Sequence, residues 1–161
     1  MRLILNIGSV AKRPMQRLHT APTVSSNLTI TTTQRNIMKL MFVYGILPAL
    51  VFYTDSLKEL VGGSTNGPII RIRPRYKDVD AGILQHELTH VKQWYRTFAT
   101  HGLWKLLFES YKLRSEVEAY KVQAQYYETP ELSYTWMAVA IASKYGLTNY
   151  TEEEILARLR S

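Results

Sequence analysis

The sequence predicts a mainly helical α+β fold with a small edge sheet and an extended N-terminal arm. Residues 81–98 carry apolar side chains on one face at helical spacing, and residues 68–74 alternate isoleucine with arginine, as a half-buried strand does. Residues 1–36 are instead rich in Ser, Thr and Arg. A chain of 161 residues suits one domain with an appendage. We therefore divide it into an arm with an apolar segment, residues 1–56, and a folded domain, residues 57–161.

The positive charge of the chain is concentrated in its N-terminal third. The formal net charge is +7, but residues 1–54 contain no acidic residue, and residues 55–161 are nearly balanced. We therefore expect no nucleic-acid partner for the protein as a whole. The absence of cysteine excludes a disulfide scaffold and a thiolate metal site, so any metal must bind to His, Asp or Glu.

The N-terminal arm, residues 1–36, has two interpretations. Its composition suits an extended segment that binds a protein partner in a larger assembly. An Arg- and Ser-rich, acid-poor stretch is also typical of a mitochondrial targeting segment. Within it, Thr29 to Thr33 form a β-prone run.

Residues 41–53 form an uninterrupted apolar run that contains Pro48. A helix that spans a bilayer needs about 20 apolar residues, and this run is shorter. The sequence therefore favours a buried core segment or one that packs on a partner. Membrane contact through residues 41–53 is the alternative.

A loop and a strand are predicted next. Residues 62–67 have the composition of a loop, and residues 68–74 form the strand, with proline at both ends. Proline cannot donate to a strand ladder, so we expect this strand at the edge of the sheet. An edge strand can pair with an extended peptide, or it can simply cover the core.

A helix is predicted to begin near Ala81, capped by Asp78 or Asp80. It carries the motif His86-Glu87-Leu-Thr-His90. Residues four apart lie on one helical face, so both imidazoles can bind one metal ion. Glu87 lies about 100° around the helix, where it can reach a water on that ion without replacing it.

A catalytic zinc ion usually has three protein ligands, so a third is needed. Residues 115–120 offer Glu116 and Glu118 on a second helical segment. Basic neighbours one turn away favour a solvated position for Glu118, whereas the neighbours of Glu116 favour an inward one. We choose Glu116, keep Glu118 as the alternative, and consider His101 a remote third that more readily caps the turn at residues 101–102.

The two motifs together resemble those of the gluzincin branch of the zincin metallopeptidases. In that branch the third ligand is a Glu that is followed by a small residue three positions later and by an Asp four positions later. Glu116 matches the position of this ligand. The stretch from His86 to Tyr95 is also similar to small peptidase-like proteins of bacteria and tailed bacteriophages. The likeness covers about residues 66–128. It implies a zincin-like fold, a Zn²⁺ ion held by His86, His90 and Glu116, and Glu87 as general base.

Position 120 departs from this resemblance, because Tyr120 stands where better-known gluzincins have an Asp that orients a ligand histidine. The Tyr120 hydroxyl could orient a histidine or stabilise the oxyanion of a scissile amide. A buried structural tyrosine is the alternative.

The rest of the chain reads as helical core. Helices are predicted from Thr129-Pro130 to Gly146 and from a capping box at residues 151–154. The predicted core side chains are Trp104, Leu106, Leu107, Tyr111 and Leu113, followed by Trp136, Met137, Val139, Ala140, Ile141 and Ala142.

The function expected from these motifs is zinc-dependent hydrolysis of peptide bonds, with a peptide or protein substrate. The resemblance suggests a phage virion or the bacterial cytoplasm, and the alternatives are a membrane-associated or a mitochondrial peptidase. A rival hypothesis is a non-catalytic structural or adaptor component of a phage tail or another large assembly that retains the zincin fold.

Overall fold

The computed structural model describes residues 28–32, 36–59, 61–147 and 149–161. Its strands are β1 (Leu28–Thr32), β2 (Asn36–Val43), β3 (Leu47–Tyr53), β4 (Gly63–Asn66) and β5 (Ile69–Ile72). Its α-helices are α1 (Ala81–Arg96), α2 (His101–Leu107), α3 (Glu109–Ala124), α4 (Pro130–Tyr145) and α5 (Glu152–Arg160). The predicted α+β class is confirmed. Most of the predicted arm, residues 1–27 and 33–35, lies outside the described residues.

The strands form one mixed sheet in the order β1-β2-β3-β5-β4. Strands β3 and β5 are parallel, and the other neighbours are antiparallel. The apolar run forms the end of β2, the turn and all of β3, and Met41, Val43, Ala49 and Val51 within it are buried. Alternate residues of a strand lie on the same face, so one face of the hairpin is core, as predicted. None of the helices in the described part of the chain is long and apolar enough to cross a bilayer.

The same sheet extends across the boundary predicted between residues 56 and 57. Strand β3 lies before this boundary and pairs with β5, which lies after it. The hairpin that was predicted as an appendage therefore contributes strands to the sheet on which α1 packs. The division into two parts stays a prediction.

The edge strand beside the helices is β4, and the prediction that residues 68–74 form an edge is wrong. Strand β5 lies between β3 and β4. Pro68 and Pro74 fall outside it, so neither removes a ladder hydrogen bond. The predicted loop instead forms β4, which turns back through Gly67, a glycine with φ of +61°. Polar, glycine-rich residues form a strand here because β5 supplies their backbone partners.

Helix α1 lies between the sheet and α3. Leu88 and Val91 pack on the buried face of the sheet, as the helical periodicity predicts. A second core joins α3, α4 and α5 around Leu113, Met137 and Ile141. Three predicted helix ends are confirmed: Asp80 caps α1, Gly146 ends α4 in the left-handed conformation, and Thr151 opens α5 with a capping box.

Helix α2 is not the core helix that the sequence predicts. Trp104, Leu106 and Leu107 are exposed, by 43%, 82% and 60%. On α4, Trp136 and Val139 are exposed as well. A short helix of seven residues buries one stripe only, and in α2 that stripe contains His101. Apolar composition alone does not reveal which stripe is covered.

We expect Leu113→Ala to lower the free energy of unfolding by about 2–5 kcal/mol, because Leu113 is fully buried between three helices. The matched variant Leu106→Ala should change it by less than about 0.5 kcal/mol. Chemical denaturation of both variants checks this. A large loss in Leu106→Ala would show that α2 is covered in solution.

Candidate metal centre

Helices α1 and α3 bring together the three side chains that the sequence selects as ligands. The Nε2 atoms of His86 and His90 lie 3.2 Å apart. Glu116 Oε2 lies 3.7 Å from His86 Nε2, and Glu116 Oε1 lies 3.5 Å from His90 Nε2. One ligand atom from each residue falls within 4.8 Å of the other two. The three residues are buried, and Glu116 is completely so.

The chemistry of this cluster fits a metal ion. Two imidazoles and a carboxylate are a ligand set typical of catalytic zinc. Within the described part of the chain, Glu116 Oε2 is buried without a hydrogen-bond partner. A buried carboxylate oxygen without a partner is costly, and a cation between the three side chains would satisfy it.

Charge is shared unevenly within the cluster. Burial, followed by the positive charge of His90, lowers the pKa of His86 to about 3, so its imidazole is neutral at pH 7. Burial also acts to lower the pKa of His90, but the Glu116 carboxylate outweighs it and the pKa is raised. Burial favours a raised pKa for Glu116, yet His90 and Lys105 reverse this and hold it well below its usual value. Glu116 therefore stays ionised, the form that binds a metal.

Glu87 lies beside the cluster and faces strand β4. Its Oε2 accepts a hydrogen bond of 2.6 Å from the Thr65 hydroxyl. Burial raises its pKa. A Cβ atom at Gly63 would lie only 2.7 Å from Glu87 Oε1, so glycine is required for β4 to approach this closely. The strand thus fixes the carboxylate in place.

A second set of hydrogen bonds orients His90. His90 Nδ1 donates to Gln93 Oε1 over 2.8 Å, so Nε2 is the ring nitrogen that a metal ion would bind, in place of its proton. Gln93 in turn donates to the Ser115 carbonyl and to Glu118 Oε2, both over 3.0 Å. Glu118 pairs with Arg96. The alternative ligand Glu118 is therefore outside the metal cluster and supports it through Gln93.

Helix α2 brings two further side chains to the cluster. Lys105 Nζ contacts Glu116 Oε1 at 2.5 Å. The His101 ring centroid lies 5.8 Å from that of His90. The prediction that His101 caps a turn is wrong: α2 begins at His101, whose Nδ1 bonds the Tyr111 hydroxyl over 2.9 Å. Burial, followed by Lys105, lowers the pKa of His101 to about 4.

Tyr120 touches the cluster through its ring. The ring packs edge-on against His86, with centroids 4.5 Å apart. Burial, followed by the charge of Glu116, raises the pKa of its hydroxyl. The ring therefore restrains the His86 imidazole by packing. A catalytic role for the hydroxyl stays a prediction.

The cluster opens into a cleft of about 820 Å³. Its lining includes Gly63 and Thr65 from β4, Glu87 from α1, and Trp136 and Tyr145 from α4. A cleft of this size accepts a ligand of several residues in extended form.

Sequence reasoning assigned no role to several side chains of the site. Gln93 follows His90 by one turn and could have been found from that spacing. Gly63, Thr65, Lys105 and Tyr145 carry no local signal, because the tertiary fold alone brings them to the cleft.

The chain matches no protein-family model, no curated protein and no solved structure. The zincin-like fold, the peptidase family and the phage association therefore stay predictions.

We expect Gln93→Leu to weaken zinc affinity about 10- to 100-fold, because His90 loses the acceptor that fixes its ring. Competition with a chromogenic chelator measures this. Gln123→Leu is the matched control, since Gln123 is also buried but bonds Tyr127 rather than a ligand histidine. Equal affinities of the two variants would contradict the assigned role.

Proposed function

We propose that the protein is a zinc-dependent metallopeptidase with a zincin-like fold. The observation that carries the proposal is the convergence of His86, His90 and Glu116 from two helices, with Glu87 beside them at the wall of a cleft. The ligand types favour zinc over magnesium or calcium, which prefer oxygen donors alone. When bound, a zinc ion acidifies a water molecule and polarises an amide carbonyl.

Glu87 is the general base of this proposal. Its carboxylate accepts a proton from the attacking water and later delivers it to the nitrogen of the leaving amine as the C–N bond breaks. Burial raises its pKa, which makes the carboxylate a better proton acceptor. The Thr65 hydroxyl holds one of its oxygens, so the other is available for the proton.

Strand β4 is placed to align the substrate. It is the last strand of the described sheet and borders the cleft at Gly63 and Thr65. An extended peptide can bind the backbone of such an edge strand in sheet-like pairing. Alignment beside Glu87 would place one peptide bond at the metal ligands.

The proposal is tested by metal analysis and a peptidase assay on the same purified protein. We expect one zinc ion per chain, cleavage of an unstructured protein such as casein, and loss of cleavage after chelation. Cleavage should return when zinc is restored. Stoichiometric zinc without cleavage of any peptide would overturn the peptidase proposal.

That last outcome would favour the rival, a structural or adaptor component of a phage tail or another assembly. The observation that favours it is the exposed apolar side of α2, where Leu103, Leu106 and Leu107 are all more than half exposed. Such a patch is typical of a surface that binds another protein. For either function, we propose a location in a phage virion or in the bacterial cytoplasm.

We expect Gly63→Ala to lower peptide turnover on the order of 10²-fold while zinc stays bound. The added methyl would lie 2.7 Å from Glu87 Oε1 and must displace the carboxylate. Gly45→Ala is the control: it also strains a glycine, through its φ of +78°, but this glycine lies in the turn between β2 and β3 and does not line the cleft. Turnover and zinc content are measured on both. Unchanged turnover in Gly63→Ala would show that the position of Glu87 does not limit the reaction.

A further inference from the structure

A second, smaller pocket adjoins the metal ligands on the side of α2. It has a volume of about 240 Å³ and is lined by parts of β4, α1 and α2, including Trp94, His101 and Leu103. Thr65, His90 and Lys105 line both this pocket and the large cleft. A peptide along β4 would therefore pass from one cavity to the other across the metal ligands.

The polar groups of this pocket include two that can donate hydrogen bonds to an anion, the Lys105 ammonium and the His101 imidazole. None of the described residues that line it is acidic. The Lys105 ammonium has three donors, one of which contacts Glu116, so two remain. His101 is 93% buried, and its Nε2 has no partner within the described part of the chain. With the Tyr111 hydroxyl donating to Nδ1, the tautomer we assign, His101 carries its proton on Nε2.

We propose that this pocket binds a carboxylate of the peptide substrate, close to the bond that is cut. The inference rests on the proposed peptidase function. In this proposal Lys105 Nζ donates to the carboxylate, and His101 Nε2, which is closed off from solvent in the empty pocket, donates once its ring shifts toward the ligand. Trp94 and Leu103 would contact the carbon atoms behind the carboxylate. The volume is below the range of about 300–1,000 Å³ that suits larger ligands, so one side chain or chain end fits. The carboxylate comes from a free C-terminus or from an Asp or Glu side chain.

Binding of matched peptides to the zinc-loaded Glu87→Gln variant distinguishes these sources. One pair differs only in a free or amidated C-terminus, and a second pair only in Glu or Gln at one position, scanned along the peptide. We expect fluorescence anisotropy to show about tenfold tighter binding of the carboxylate member in one pair. Equal binding within every pair overturns the carboxylate inference and leaves the peptidase proposal standing. No binding by any peptide, together with no turnover by the wild-type protein, overturns both.

Variants in the same Glu87→Gln background locate the carboxylate. Lys105→Met and His101→Phe should each reduce the preference for the carboxylate member of the peptide pair to less than about threefold. Zinc content is measured in each variant, so that loss of the metal is not mistaken for loss of the pocket. Lys144→Met is the control, because Lys144 lines the large cleft but not the small pocket. The inference is overturned if both pocket variants keep the full preference, or if Lys144→Met loses it equally. Two independent pocket variants guard against one that fails to fold.

Discussion

Replacing Glu87 by Gln is expected to lower peptide turnover about 10²- to 10⁴-fold while the zinc ion stays bound. Glutamine keeps the size of the side chain and can still bond Thr65, but its amide cannot accept the proton of the attacking water. The metal ligands are other residues, so zinc content should stay at one per chain. Initial rates on a fluorogenic peptide and metal analysis measure the two quantities.

Thr65→Val is a milder variant that tests the same role of Glu87. It removes the 2.6 Å hydrogen bond that fixes Glu87 and leaves the carboxylate itself in place. We expect a smaller fall in turnover than in Glu87→Gln, with unchanged zinc content. Full turnover in Glu87→Gln would exclude Glu87 as the general base, and loss of zinc would show that it acts as a ligand instead.

Replacing Glu116 by Ala is expected to weaken zinc binding about 10²-fold or more, because one of three protein ligands is lost. The variant also leaves Lys105 without its buried partner, which adds a cost in stability. Zinc affinity is measured by competition with a chelator, and folding is checked by circular dichroism in the same samples.

Glu118→Ala is the matched control, since it removes a carboxylate two residues away on the same helix. Glu118 bonds Gln93 and Arg96 rather than lying in the metal cluster, so we expect a weaker effect on zinc affinity than in Glu116→Ala. If Glu118→Ala released zinc and Glu116→Ala kept it, the ligand assignment would be wrong.

The local pattern of the sequence was sufficient to predict the ligand-bearing helix. The start of α1 near Ala81, a cap at Asp78 or Asp80 and the common face of His86 and His90 follow from spacing and capping alone, and the structure selects Asp80 as the cap. The predicted inward position of Glu116 and the more solvated position of Glu118 also agree with the structure, because charged neighbours one turn away identify the solvated side of a helix.

Elsewhere the same kind of reasoning failed. Proline at both ends placed β5 at the sheet edge, whereas β4 occupies the edge and β5 pairs on both sides. Leu106 and Leu107 were expected in the core but lie exposed on α2. Both errors concern which neighbour covers a segment, and local composition contains no information on that.

The sequence by itself determined the chemistry available to this protein: two imidazoles and a neighbouring carboxylate at helical spacing, and no thiol. Only the tertiary structure decided what surrounds them. Strand β4 against Glu87, Gln93 behind His90, and α2 with Lys105 beside Glu116 are contacts between segments far apart in the chain. Such contacts depend on how the helices and the sheet pack. Residue spacing could therefore identify the candidate ligands but not the environment that sets their charge and access.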